Sequence, residues 1–175
     1  MSARLCFFFK SKDVAPGKGT GEVAYNQSLA EDVPDAIALE TIPKWRSVLS
    51  NFYVTDKPIF FRGLHYRTAE HIFQAMKIAI TDESAAKSFS IESNSDLSKG
   101  DGAAARSARK LRVLTPAMLA EWDAIRPQVV RDMWIAKFGQ DPKSALVLTL
   151  TGKAQLWHVA PRMKAERWVD LEALR

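Results

Sequence analysis

The stretch YRTAEHIFQAMK, residues 66–77, sets a carboxylate, an imidazole, an amide and an amine close together as Glu70, His71, Gln74 and Lys77. At about 100° per residue, Glu70, Gln74 and Lys77 fall within about 60° of one another on a helix. That stripe borders an apolar face built from Ala69, Ile72, Phe73, Met76 and Ile80. A rise of about 1.5 Å per residue puts Glu70 and Lys77 about 10 Å apart along the axis. They are too distant for a direct ion pair, yet both can reach one bound ligand. Thr68 is a good N-cap residue, which places Glu70 in the first turn, where the helix macrodipole favours an ionised carboxylate. The same spacing also describes the wet edge of an ordinary amphipathic helix, and periodicity alone does not separate the two readings.

Two familiar constellations fail on their spacing. The inverted zinc pattern His-x-x-Glu-His needs a histidine where Arg67 stands, and His65 comes two residues too early. With three histidines, His65, His71 and His158, and the single Cys6, neither a zinc site nor an internal disulfide is expected. The glycine-rich loop KDVAPGKGTGE, residues 12–22, is not a nucleotide-triphosphate P-loop. Lys12 holds the place of the first glycine and Gly19 that of the hydroxyl residue. Backbone amides around Gly17 and Gly19 could still wrap a diphosphate; the plainer reading is a solvated loop tip.

The elements that must position these residues are legible as a helix-rich α+β chain. RLCFFF (4–9) reads as a buried strand, and residues 27–40 as a short helix interrupted by Pro34. Pro43 suits the first turn of the next helix. Two aromatic-rich runs flank Arg62-Gly63 as a tight hairpin, followed by the helix capped by Thr68. NSDLSKGDGAAA (94–105) reads as a polar loop entering a helix, and ARSARKLRV as a basic segment. Thr115 and Pro116 start a helix, Pro127 restarts the pattern, and Gly139 can end it. Asp141-Pro142 opens another helix that ends at Gly152, and KAQLWHVAP alternates as a strand. The 175 residues suit one domain spanning the chain. No apolar run is long enough to span a membrane, and LCFFF is too short for a signal peptide, so an intracellular protein, cytoplasmic or nuclear, is expected. A net charge of +5 and a pI near 9.4 permit a polyanionic partner without demanding one.

LSNFY, the aromatic hairpin and EHIFQAMK together resemble the NADAR family of N-glycosidases, whose core pattern is Ser-Asn-Phe, a strand pair, then Glu-His-x-Phe-Gln-x-x-Lys. The likeness continues through SNSDLSKGDGAAARSARKLR, EWDAIRPQVVRDMWIAKFGQ and LTLTGKAQLWH. It implies a single helix-rich α+β domain with a few short strands. One branch of that family cleaves riboflavin-pathway intermediates; another removes ADP-ribose from guanine in DNA. The long KSKDVAPGKGTGE loop and the ending LWHVAPRMKAERWVDLEALR are similar to the second branch. The first carries Asp-x-x-Trp-Gly near its C-terminus, where this chain has Ala165 before Trp168 and Val169 after it.

The resemblance implies that Glu70 stabilises an oxocarbenium-like centre at the anomeric carbon or activates water there. A neutral lysine, Lys18 or Lys77, offers a covalent alternative through a Schiff base; Lys18 would need its loop to fold over the substrate. Ser50, Asn51 and Phe52 form a polar and aromatic lip. Gly17, Gly19 and Glu22 in the loop, His71 and Gln74 on the helix, Arg106, Arg109, Lys110 and Arg112 in the basic segment (whose plainer reading is a solvated helix face), and His158 and Arg162 near the C-terminus complete the expected binding set. Trp122 could stack on a base or belong to the core. The expected partner is ADP-ribose, or ADP-ribosylated guanine in nucleic acid, bound by a monomer without metal or organic cofactor. The alternatives are a glycosidase for riboflavin-pathway intermediates and a module that binds ADP-ribose without cleaving it.

Overall fold

The computed structural model describes residues 2–22 and 26–175, with residues 26–28 through their backbone alone. The chain is α+β, helix-rich with short strands, and forms two compact units. One contains residues up to Ser50 together with Pro142–Arg175; the other is Asn51–Asp141.

The first unit begins with strand β1 (Arg4–Phe7), whose Leu5, Cys6 and Phe7 are all buried. Burial of successive residues explains why the stretch reads as an unbroken apolar run rather than an alternation. Helices α1 (Asn26–Asp32) and α2 (Ala36–Thr41) flank Pro34, and α3 (Trp45–Leu49) is buried along its whole length.

The second unit opens with the hairpin β2 (Ile59–Phe61) and β3 (Leu64–Tyr66), paired antiparallel. Its two turn residues, Arg62 and Gly63, take φ of 47° and 88°. Two successive positive values match the twist of the flanking strands. Helix α4 (Ala69–Ala79) follows, its first turn closed by Thr68, whose side chain accepts from the His71 amide. Then come α5 (Glu83–Lys87), a 3-10 turn at Ile91–Ser93, α6 (Asp96–Lys99), α7 (Gly102–Ser107) and a second 3-10 turn at Ala108–Leu111. Helix α8 runs unbroken from Pro116 to Gln140.

The continuity of α8 corrects the expectation that Pro127 restarts the pattern. Proline removes the N–H that would bond the Asp123 carbonyl, but Asp123–Gln128 face solvent, so water can satisfy that oxygen. Burial of Trp122 before the proline and of Val129, Met133, Trp134 and Phe138 after it holds one axis. Gly139 lies inside the helix. The stop comes from Pro142, which forces Asp141 into an extended conformation, φ −102° and ψ 105°.

The chain then returns to the first unit through α9 (Pro142–Leu150), β4 (Gln155–His158), β5 (Glu166–Arg167) and α10 (Val169–Glu172). Strand β4 pairs parallel with β1, Leu5 opposite Leu156, and antiparallel with β5. Among the described residues no helix is long and apolar enough to cross a membrane.

Candidate active site

Helix α4 is buried nearly all round, packed by α5, α7 and α8. That packing settles what periodicity left open. Ala69, Ile72, Ala75 and Ile78 are buried as apolar residues, and so are Glu70, His71 and Gln74; Phe73, Met76 and Lys77 are only half-buried. Ile80, expected on the apolar face, is the residue that ends the helix. Glu70 and Gln74 of the polar stripe are therefore part of the interior, and Lys77 lies half-buried at its end.

Glu70 is 6 % exposed. The Gln74 side-chain Nε2 donates to its Oε1 at 2.8 Å, one helical turn on. Burial pushes the carboxyl up to about 7, against the lowering pull of the Gln74 bond and of the Arg106 and Arg109 charges. A carboxyl poised there exchanges protons readily at neutral pH.

Its position is fixed from both sides. The first amides of a helix lack partners within it. Here the Glu70 N–H donates to the Asn51 carbonyl at 2.9 Å, tying the first turn of α4 to the Asn51-Phe52 segment. Asn51 is gripped in turn by α8, whose Trp134 indole Nε1 donates to Asn51 Oδ1 at 2.9 Å. Helix α7 completes the wall: its Arg106 guanidinium lies 5.9 Å from the Phe52 ring centre. One turn earlier, a Cβ at Gly102 would come within 2.4 Å of Phe52 Cα. Only glycine permits that approach.

Gly102→Ala separates this contact from helix propensity. Propensity alone predicts a gain of up to about 1 kcal/mol. The clash predicts a loss of roughly 1–3 kcal/mol, with a displaced Phe52 and lower turnover, read by urea denaturation and a parallel rate assay.

His71 is fully buried, and its ring is committed to the fold. Nδ1 lies 2.8 Å from the Thr68 hydroxyl and Nε2 3.1 Å from the Leu97 carbonyl. Burial lowers its pKa, opposed by the Leu97 bond, so the neutral ring serves as a brace between α4 and the segment around Leu97. Trp122 is 2 % exposed and packs edge-on against Phe73 at 5.1 Å, which makes it a core aromatic. Arg109 and Lys110 are exposed on the second 3-10 turn, while Arg112 is paired with Asp82.

The remaining sequence-derived residues belong to the first unit. Lys18 is exposed, following Gly17 at φ 82°. The Glu22 carboxylate accepts from the Cys6 and Gly19 amides at 2.9 and 2.8 Å and pairs with Arg46 at 2.9 Å. Glu22 thus organises the glycine loop from within, and the Gly19 amide is spent on it. Ser50 is buried at the end of this unit. His158 stacks on Trp168 at 4.8 Å, and Arg162 is exposed with φ 62°.

One buried cation escaped the sequence reading. Lys137 on α8 has no exposed surface, sits 4.8 Å from the Phe138 ring centre and 5.7 Å from that of Tyr53, and is lowered by burial to about 7, with Asp141 opposing. It lies one turn beyond Trp134 and packs on the residue after Phe52. The available signal was its place in the apolar stripe of Met133, Trp134 and Phe138.

The sequence profile described as NADAR domain matches residues 41–165. The chain belongs to the NADAR family. A search of curated proteins finds no match, and neither does one of solved structures. The matched region contains the whole Glu70 wall, from Asn51 and Phe52 through Gln74 to Arg106, Arg109 and Trp134. The NADAR family is associated with N-glycosidase activity, which places this chain with hydrolases of N-glycosyl compounds at that coarse level.

Proposed function

We propose that this NADAR protein removes ADP-ribose from guanine bases in DNA by hydrolysing the ribose–nitrogen bond. The observation that carries the reading is Glu70: a buried carboxyl raised to about 7, held by Gln74 and fastened to Asn51. Cleavage of a ribosyl–nitrogen bond passes through an oxocarbenium-like centre at the anomeric carbon. Ionised Glu70 beside that carbon stabilises the developing positive charge and takes a proton from the attacking water. The water oxygen bonds to the anomeric carbon as the carbon–nitrogen bond breaks. The departing base nitrogen keeps the bonding pair and is reprotonated. Phe52 offers a face to a planar ring, and Arg106 and Arg109 supply positive charge suited to a diphosphate. The glycine loop and the C-terminal ending without Asp-x-x-Trp-Gly favour ADP-ribose over the riboflavin-pathway substrates.

The test incubates the purified protein separately with guanine-ADP-ribosylated DNA and with a riboflavin-pathway intermediate. Release of ADP-ribose and unmodified DNA in the first tube is the expected result; release of free base only in the second overturns it. KM for the DNA substrate should also rise with salt, because phosphate contacts release counterions. A flat response would place the substrate among free nucleotides.

A further inference from the structure

The Gln74 side chain is used at only one end. Its Nε2 donates to Glu70, while Oε1, buried on a residue 4 % exposed, meets no hydrogen-bond partner among the described residues. Buried side-chain polar atoms are nearly always satisfied, so an orphan in a native interior calls for an explanation. A carbonyl oxygen accepts from an N–H or an O–H, of water or of a ligand that displaces it. Ionised phosphate oxygens and the ribose ring oxygen are acceptors themselves and cannot fill the place.

The amide carries both atoms on one carbon, so Oε1 sits beside the carboxylate that Nε2 touches. A sugar whose anomeric carbon lies against Glu70 brings its C2 hydroxyl, one carbon away, to that neighbourhood. Two donors compete for Oε1 there, the 2-hydroxyl and an N–H of the departing base. An acceptor pulling on the base N–H enriches nitrogen that must leave with an extra electron pair, which opposes departure. An acceptor on the 2-hydroxyl instead enriches the oxygen next to the electron-deficient carbon. Hydrogen bonds at the 2-OH strengthen in glycosidase transition states for this reason.

We infer that Gln74 is a specificity-determining residue that confines the site to ribosides by accepting the 2-hydroxyl at Oε1, an inference that rests on the glycosidase reading above. It bears on a hazard of that reading. A protein acting on guanine in DNA meets a 2-deoxyribosyl–guanine bond at every such nucleotide. A site that requires the 2-hydroxyl cleaves the ADP-ribosyl bond and spares the backbone sugar.

The experiment compares an oligonucleotide carrying ADP-ribosyl guanine with one carrying its 2-deoxyribosyl counterpart at the scissile sugar. Each kcat/KM is referred to the uncatalysed hydrolysis of the same substrate. Wild type should prefer the riboside by roughly 10⁴-fold, because a site built around a substrate hydroxyl is left unpaired by the analogue lacking it. Gln74→Met should bring the preference close to one by slowing the riboside far more than the deoxyriboside. A merely structural role would lower both rates together and leave the ratio unchanged, which overturns the inference. Equal wild-type rates on the two substrates overturn it without reference to the variant, and leave the glycosidase reading standing. No cleavage of either substrate by wild type overturns both.

Discussion

Glu70→Gln is expected to lose about 10³-fold in turnover while making the folded protein more stable at pH 8. Removal of a positioned general base removes roughly 10²–10⁴ in rate. The new amide is nearly isosteric, and its carbonyl still accepts from Gln74 Nε2, so the wall is not expected to collapse. The stability gain follows from the direction of the shift. Folded Glu70 holds its proton up to about 7, whereas the unfolded carboxyl releases it near its ordinary value of 4.5. Between those values the folded chain binds more protons than the unfolded one, so stability falls as pH rises through the window. Above 7 the folded state carries the full cost of a buried charge, roughly 3 kcal/mol. The variant carries none of it, so its advantage over wild type should grow from about pH 5 to 8 and level off. Urea denaturation at pH 5 and pH 8 measures this. An equal or smaller advantage at pH 8 would mean that Glu70 is not strained by burial.

The second large effect is expected from Arg46→Met. The Arg46 and Glu22 side chains are 2 % and 0 % exposed and meet at 2.9 Å. The same guanidinium donates to the carbonyls of Cys6 and Ala15 at 3.2 and 3.0 Å, and to that of Val14, and it lies 4.0 Å from the Trp45 ring centre. Loss of one partner from a buried pair strands the other charge, at a cost of roughly 3–5 kcal/mol. For a chain of this size that lowers the melting temperature by roughly 10 °C. The glycine loop loses the anchor of its Val14 and Ala15 carbonyls, so protease nicking between residues 14 and 22 should accelerate with the melting change. Glu22→Leu added to Arg46→Met should recover part of the loss, because no charge then remains buried. A double variant less stable by the sum of the two singles would show that the pair is not coupled.

What could be read in advance was local. The tight turn at Arg62-Gly63, the Thr68 cap and the helix opened by Asp141-Pro142 each follow from a few adjacent residues. Glu70 and Gln74 were placed on one stripe by helical spacing, and they do meet. What escaped depends on partners far apart in the chain. Trp134 reaches Asn51 across 83 positions, and Arg46 reaches Glu22 across 24. No periodicity encodes such pairs. The character of Glu70 was equally out of reach, because first-turn position argued for an ionised carboxylate whereas burial by α5, α7 and α8 raises its pKa. Pro127 misled for a related reason: a helix-breaking residue is tolerated where its orphaned carbonyl faces water and neighbouring turns are packed. Lys137 hid in plain view, a cation in an apolar stripe.

The central claim is that the buried Glu70 carboxylate performs the chemistry in its ionised form. Its most direct test is the pH dependence of kcat/KM on guanine-ADP-ribosylated DNA from pH 5 to 9, set beside a carbon-13 NMR titration of the Glu70 side chain. The rate should climb about tenfold per pH unit on the acid side and level off above about 7, at the pH where Glu70 itself titrates. A rate independent of pH across that range, or a Glu70 titration at its ordinary value of 4.5, would contradict the account.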